Sequence, residues 1–129
     1  MARILLVDDD ASIRDVYAEI LQGEGYIVET AINGEEALFK LNIGGYDLVF
    51  LDIMMPQLDG IGVLDRLQTN PPQQPNGPII LLTNLGHDPL TKLAKGKDIS
   101  YLVKANVTPH DIVLTAKKVL TQLTPAAAY

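Results

Sequence analysis

The chain contains no cysteine. Disulfide staples and thiolate metal centres are therefore excluded, and a reducing compartment suits it. Positive charge is also scarce: 10 Lys and Arg stand against 16 Asp and Glu, a formal net charge of −6. Phosphate backbones are neutralised by clustered Lys and Arg, so this chain alone is not expected to bind nucleic acid. Long apolar runs are missing too. None approaches the roughly 18–20 residues of a membrane span, so no membrane association is expected. The opening stretch Ile4-Leu5-Leu6-Val7 is too short for a signal peptide and runs straight into Asp8. A soluble cytoplasmic protein is the expectation.

What remains is the composition of a folded domain. The 129 residues are 47% hydrophobic and 20% charged, a globular balance in a length that suits one domain. A chain of this size buries a sizeable core without staples.

Strand and helix signals alternate along it. Ile4 to Val7, Leu48 to Leu51 and Pro78 to Leu82 are short, wholly apolar runs, each stopped by a polar residue. Such runs read as strands buried on both faces, the mark of a parallel sheet. Tyr26 to Thr30 and Ser100 to Val103 predict two more. Between them, Ile13, Val16, Tyr17, Ile20 and Leu21 repeat at helical spacing and stop at Gly23 and Gly25. Asn33 with Glu36 resembles a capping box before Ala37, Leu38 and Leu41; Ile61, Leu64 and Leu67 mark a short helix. Asp88-Pro89 offers a cap and first turn for a fourth helix. Thr108-Pro109-His110-Asp111 opens a fifth, whose apolar stripe runs from Ile112 to Leu123. Asn70 to Pro78, rich in Pro, Gln and Asn, predicts a surface loop within the domain. Five alternating βα units argue for an open, doubly wound α/β sheet with helices on both faces. The domain is expected over residues 1–124, with a disordered C-terminal tail at 125–129.

In such a sheet ligands sit beyond the carboxyl ends of the strands. The first strand ends in Asp8, Asp9 and Asp10, the third in Asp52, the fourth in Thr83, the fifth in Lys104. Gathered carboxylates repel unless a cation joins them or protons neutralise them. All-oxygen ligands suit Mg²⁺, which takes one or two carboxylates plus phosphate oxygens. With a hydroxyl and an ammonium added, the set suits a phosphoryl group carried on an Asp nucleophile. Taken singly the groups mean less: an Asp at a strand end is often a helix cap, the reading preferred for Asp10. A lone threonine is usually a loop hydroxyl, and a lone lysine a solvated charge.

The runs Ile4 to Asp10, Asp47 to Pro56 with Asp59-Gly60, Ile79 to Thr83 and Tyr101 to Lys104 resemble the receiver domain of two-component response regulators, in particular single-domain, chemotaxis-regulator-like members. The resemblance covers roughly Arg3 to Leu123. It implies a five-stranded, flavodoxin-like parallel sheet. It also implies that Asp52 is the phosphoacceptor, that Asp9 binds Mg²⁺ directly, and that Asp8 acts mainly through a metal-bound water. Asp52 itself and the backbone carbonyl of Met54 would complete the metal set. Thr83 and Lys104 would bind phosphoryl oxygens, and Tyr101 would turn inward as Thr83 shifts. The implied donor is a histidine kinase or phosphotransfer protein. The implied output is a changed surface around the fourth helix, fifth strand and fifth helix for a downstream protein.

Two departures stand out. Ala105 follows Lys104 where the family usually has proline, and a trans bond is expected there, since a cis bond without proline costs about 2.5–4 kcal/mol. Asn84 follows Thr83 where a small residue is usual, and could narrow access to the site.

Two other readings compete: an Asp-nucleophile phosphatase, and a docking module independent of phosphorylation. Met54 stands where such a phosphatase would place its acid/base carboxylate, which argues against an enzyme. The intact Asp8, Asp9, Asp52, Thr83 and Lys104 argue against a pure docking module. His87 and His110 are isolated and read as surface residues, and Met54-Met55 as loop packing.

Overall fold

The computed structural model describes residues 1–84 and 99–122. Its elements run β1 (Arg3–Val7), α1 (Ala11–Gly23), β2 (Ile27–Ala31), α2 (Gly34–Ile43), β3 (Leu48–Asp52), α3 (Gly60–Thr69), β4 (Ile79–Thr83), β5 (Ile99–Val103) and α4 (Pro109–Gln122). A short 3-10 turn, Lys104–Asn106, links the last two. The helix expected after Asp88-Pro89, His87 and the tail at 125–129 lie outside the described residues.

All strand pairs are parallel, and the order across the sheet is β2-β1-β3-β4-β5. The central strands β3 and β4 are buried at every position, which is why their sequences show no polar alternation. Alternate residues feed two cores. Leu5, Val7, Val49, Leu51, Ile79 and Leu81 face α2 and α3 through Ala37, Leu41, Val63 and Leu64. Ile4, Leu6, Leu48, Phe50, Ile80 and Leu82 face α1 and α4 through Tyr17, Leu21, Ile112 and Ala116. The doubly wound α/β expectation holds.

The helix starts follow their capping chemistry. Asp10 caps α1 by accepting from the Ser12 and Ile13 N–H groups at 2.9 and 3.3 Å. Asn33 accepts from Glu36 N–H at 2.8 Å, and Glu36 reaches back to Ile32 N–H at 3.2 Å. Thr108 and Asp111 form a reciprocal box at 2.9 and 3.2 Å. The Thr108 N–H and hydroxyl hold the Asp111 carboxyl below its ordinary value.

The second strand sits one residue later than its apolar pattern suggests. Tyr26 precedes the ladder, and Ile27 is fixed by pairing with Arg3 and by donating to the Ala2 carbonyl at 3.0 Å. The loop from Asn70 to Pro78 is irregular, as expected, yet it is tied down. Buried Asn76 donates to the Leu41 carbonyl at 3.0 Å and accepts from Tyr46 N–H at 3.3 Å. Gln73 and Gln74 donate to the Asn42 and Ile43 carbonyls, locking the loop to the end of α2.

Candidate functional site

The strand order reverses direction at β1, whose neighbours β2 and β3 lead to opposite sides of the sheet. A crevice opens beyond the carboxyl ends there. Asp8 follows β1 on one side of it and Asp52 ends β3 on the other.

Both carboxylates are buried, Asp8 at 0% and Asp52 at 2% exposure. Asp8 Oδ1 accepts from Asp10 N–H at 2.9 Å, and Asp52 Oδ1 from Met54 N–H at 3.2 Å. Lys104, carried in at the end of β5, places Nζ 2.9 Å from Asp8 Oδ2 and 3.1 Å from Asp52 Oδ2. Buried charges persist only when paired, and here one ammonium serves two acids.

The charge balance leaves Asp52 short of compensation. Burial, and then the charge of Asp8, push its carboxyl up to about 7 against the pull of Lys104. Burial alone would lower Lys104, but contacts with both carboxylates outweigh it and hold the ammonium above its ordinary range. Asp8 Oδ2 is buried without a hydrogen-bond partner among the described residues; it meets Lys104 as a charge, not as an angled acceptor. Asp9, on the exposed side, completes a cluster in which one oxygen each from Asp8, Asp9 and Asp52 lies within 4.8 Å of the others. Three oxygen donors, one with an unclaimed lone pair, fit a hard divalent ion such as Mg²⁺. Such an ion would relieve the repulsion that burial has stored.

The remaining sequence candidates fall around this pair. Thr83 ends β4 and is fully buried. Tyr101 lies opposite Leu81 and is half-buried against the α2/α3-side core. Met54, two residues past Asp52, is 52% exposed, while Met55 packs inward. The pair thus divides: one member packs and the other meets solvent. Asn84 and His110 are exposed. The bond between Lys104 and Ala105 is trans, as expected, and the 3-10 turn that follows still lets Lys104 reach both acids.

Two residues support the site in ways the strand pattern does not reveal. Gly60 opens α3 directly against the end of β3, where a Cβ would fall 2.6 Å from the Asp52 carbonyl oxygen. Its N–H donates to the Ile53 carbonyl at 3.0 Å. The Asp59-Gly60 dipeptide was the available signal: Asp59 caps α3 by accepting from Gly62 N–H at 2.8 Å, and the glycine lets the helix approach. Arg14, in the first turn of α1, donates from Nη1 to the Asp8 carbonyl at 2.8 Å. Nothing in the sequence pattern marked it.

The comparisons with known proteins agree with this geometry. A family model for the response regulator receiver domain matches residues 4–117. The chain is 41% identical over 127 residues to the probable transcriptional regulator ycf27 of Guillardia theta, covering 97% of this chain and 48% of the relative. It is 38% identical over 120 residues to the transcriptional regulatory protein ResD of Bacillus subtilis, covering 92% and 48%. The chain thus spans about half the length of the curated relatives it matches. Among solved structures it resembles the response regulator TrrA of Thermotoga maritima in complex with Mg²⁺-BeF, with 41% identity, TM-score 0.74, and coverage of 93% and 100%. The Vibrio cholerae chemotaxis protein CheY4 gives 33% identity, TM-score 0.74, and coverage of 93% and 99%. With that sheet, that acidic crevice and a family match across most of its length, the chain belongs to the response regulator receiver domains, a family of signalling switches.

Proposed function

We propose that this domain, residues 1–124, takes a phosphoryl group on Asp52 from a histidine kinase or phosphotransfer protein, with Mg²⁺ held by Asp8, Asp9, Asp52 and the Met54 carbonyl. The observation that carries the reading is the Asp52 carboxylate, buried at the end of the central strand between Asp8 and Lys104. Bound there, Mg²⁺ would supply Lewis-acid neutralisation of the phosphoryl oxygens. The chain's own groups do the rest. An Asp52 oxygen attacks phosphorus, the bond to the donor's imidazole nitrogen breaks, and an acyl phosphate results. Lys104 binds a phosphoryl oxygen as a point charge, and Thr83, at the neighbouring strand end, binds another through its hydroxyl. Tyr101 carries the change to the surface of the fourth helix expected from the sequence, β5 and α4 (the fifth helix of the sequence pattern), where a downstream protein reads it.

The domain acts as a switch and not as an enzyme: Met54, two residues after the acceptor, offers no acid/base carboxylate. A net charge of −6 supports the reading that this domain alone does not bind nucleic acid. The cytoplasm, where kinases have their nucleotide, is the fitting location, and no helix among the described residues is long and apolar enough to cross a membrane.

The test is incubation with acetyl phosphate and MgCl₂, followed by intact-mass measurement. One phosphoryl group is expected on the wild type and none on Asp52→Asn. Equal labelling of both would remove Asp52 from the role.

A further inference from the structure

We infer that Arg14 is a positioning residue for the metal: it fixes the Asp8–Asp9 peptide, so the Mg²⁺ affinity of the acidic crevice depends on it. The inference rests on the Mg²⁺ reading above.

The sheet ladder on both sides of β1 closes at Val7, which pairs with Ala31 and Leu51. Asp8 N–H still reaches the Ala31 carbonyl at 3.2 Å, but its own carbonyl lies past the last rung. A backbone carbonyl at a buried strand end needs a donor. Arg14 supplies it, reaching back six positions from the first turn of α1 to donate at 2.8 Å. Its own N–H meanwhile is spent on the Asp10 carbonyl at 3.0 Å, inside the helix that Asp10 caps. The guanidinium forms no ion pair with a carboxylate among the described residues. Its polar contact among the described residues is this carbonyl.

The consequence is geometric. The Asp8 carbonyl and the Asp9 N–H belong to one peptide plane. Holding that carbonyl fixes the plane, and with it the direction in which Asp9 leaves the backbone. Asp8 is already held through its side chain by Asp10 N–H and Lys104, whereas the side chain of Asp9 is exposed and has no hydrogen bond or ion pair among the described residues. Arg14 is the group that keeps Asp9 over the buried pair.

Charge and position predict opposite signs, which makes the inference testable. By Coulomb's law, removing a cation beside an acidic site tightens Mg²⁺ binding. Removing a positioning donor loosens it. Groups bonded directly to metal-ligand side chains change affinity about 10–100-fold when lost; Arg14 acts through the backbone, so about three- to tenfold is expected.

Mg²⁺ would be titrated calorimetrically into wild type, Arg14→Ala and Arg14→Lys, with urea unfolding in EDTA as a check on the fold. Weaker binding in Arg14→Ala, partly restored in Arg14→Lys, is the expected result. Tighter binding in Arg14→Ala would show that Arg14 acts only as a charge, and equal binding that it does not act on the metal; either overturns the inference. If Arg14→Ala is unfolded in EDTA, the Arg14→Lys affinity decides, a value equal to or tighter than wild type overturning it. A wild type that binds no Mg²⁺ overturns the metal reading and this inference with it.

Discussion

Lys104 Nζ lies 3.1 Å from Asp52 Oδ2 although β4 separates their strands in the sheet. The lysine spans that gap from the first residue of the 3-10 turn and touches Asp8 as well. One cation therefore closes a pocket with two buried acids, and the pocket carries an excess negative charge whenever both are ionised. A divalent ion bound there would settle that excess and then offset the negative charge that a phosphoryl group brings.

The first prediction concerns this stored repulsion. Burial and Asp8 raise the Asp52 carboxyl from its ordinary 3.8 to about 7. A folded-state value above the unfolded one means the protonated form favours folding. That contribution is complete below about pH 4 and is lost as pH rises toward 7. Asp52→Asn has nearly the same shape and no charge. In EDTA it should exceed wild type in stability by about 1–3 kcal/mol at pH 8, with the gap closing by pH 4. Urea melts of both proteins across that range would check it. A gap independent of pH would mean that Asp52 carries no such penalty.

A second prediction separates the three consecutive acids. Asp10 is committed to capping α1, so Asp10→Ala should cost about 1 kcal/mol of stability with little change in Mg²⁺ affinity. Asp9 caps nothing among the described residues and contributes to the carboxylate cluster. Asp9→Ala should therefore weaken Mg²⁺ at least tenfold and leave the urea midpoint in EDTA nearly unchanged. Equal losses of Mg²⁺ affinity in the two variants would contradict this division.

Which of these facts the sequence could reveal follows from how far each acts along the chain. Asp8, Asp52, Thr83 and Lys104 were legible because apolar strands end where polar residues begin, and parallel strands end on one edge. Asp10, Asn33 and Thr108 were legible because capping is local, acting over three residues. Asn76 was hidden in a polar loop: its partners, Leu41 and Tyr46, lie 35 and 30 residues away, and nothing nearby distinguishes it from Asn70. Arg14 was hidden because a charged residue in a first helical turn usually faces water. The mixed fate of Met54 and Met55 depends on a loop path that no period describes.

A third prediction tests the close approach behind the acceptor. A side chain at position 60 would meet the Asp52 carbonyl oxygen at 2.6 Å and the Ile53 Cα at 3.0 Å, both backbone atoms that cannot swing aside. Gly60→Ala should push α3 away from β3 and cost about 2–4 kcal/mol, in the range of overpacking and backbone-strain substitutions. Because the displaced atoms belong to Asp52 and its successor, phosphorylation by acetyl phosphate should slow as well. Asp65→Ala, on the exposed side of α3, is the control and should leave both unchanged. A Gly60→Ala protein with wild-type stability and labelling rate would show that α3 can shift without disturbing the acceptor.

The last prediction concerns the route from Asp52 to the surface. Thr83 is fully buried at the end of β4, and Tyr101, on the adjacent edge strand β5, is half-buried against the α2/α3-side core. A phosphoryl group on Asp52 brings about −1.5 to −2 charges, by analogy with other phospho-residues. Lys104 is already in place for it, and the Thr83 hydroxyl is the neutral donor at the next strand end. Drawing that hydroxyl toward Asp52 changes the space beside β5, and Tyr101 starts half exposed, so inward rotation of its ring buries apolar surface. Thr83→Ala keeps the nucleophile, the acidic cluster and the lysine, so it should still accept phosphate. It should fail to couple that event to the ring. Tyr101 side-chain NMR signals, compared with and without beryllofluoride in wild type and Thr83→Ala, provide the measurement. A shift in wild type that is at least halved in Thr83→Ala is expected. Equal shifts in both would show that the hydroxyl is not the relay. No shift in either would remove Tyr101 from the switch and turn attention to the turn at Ala105, which carries Lys104 on its other side.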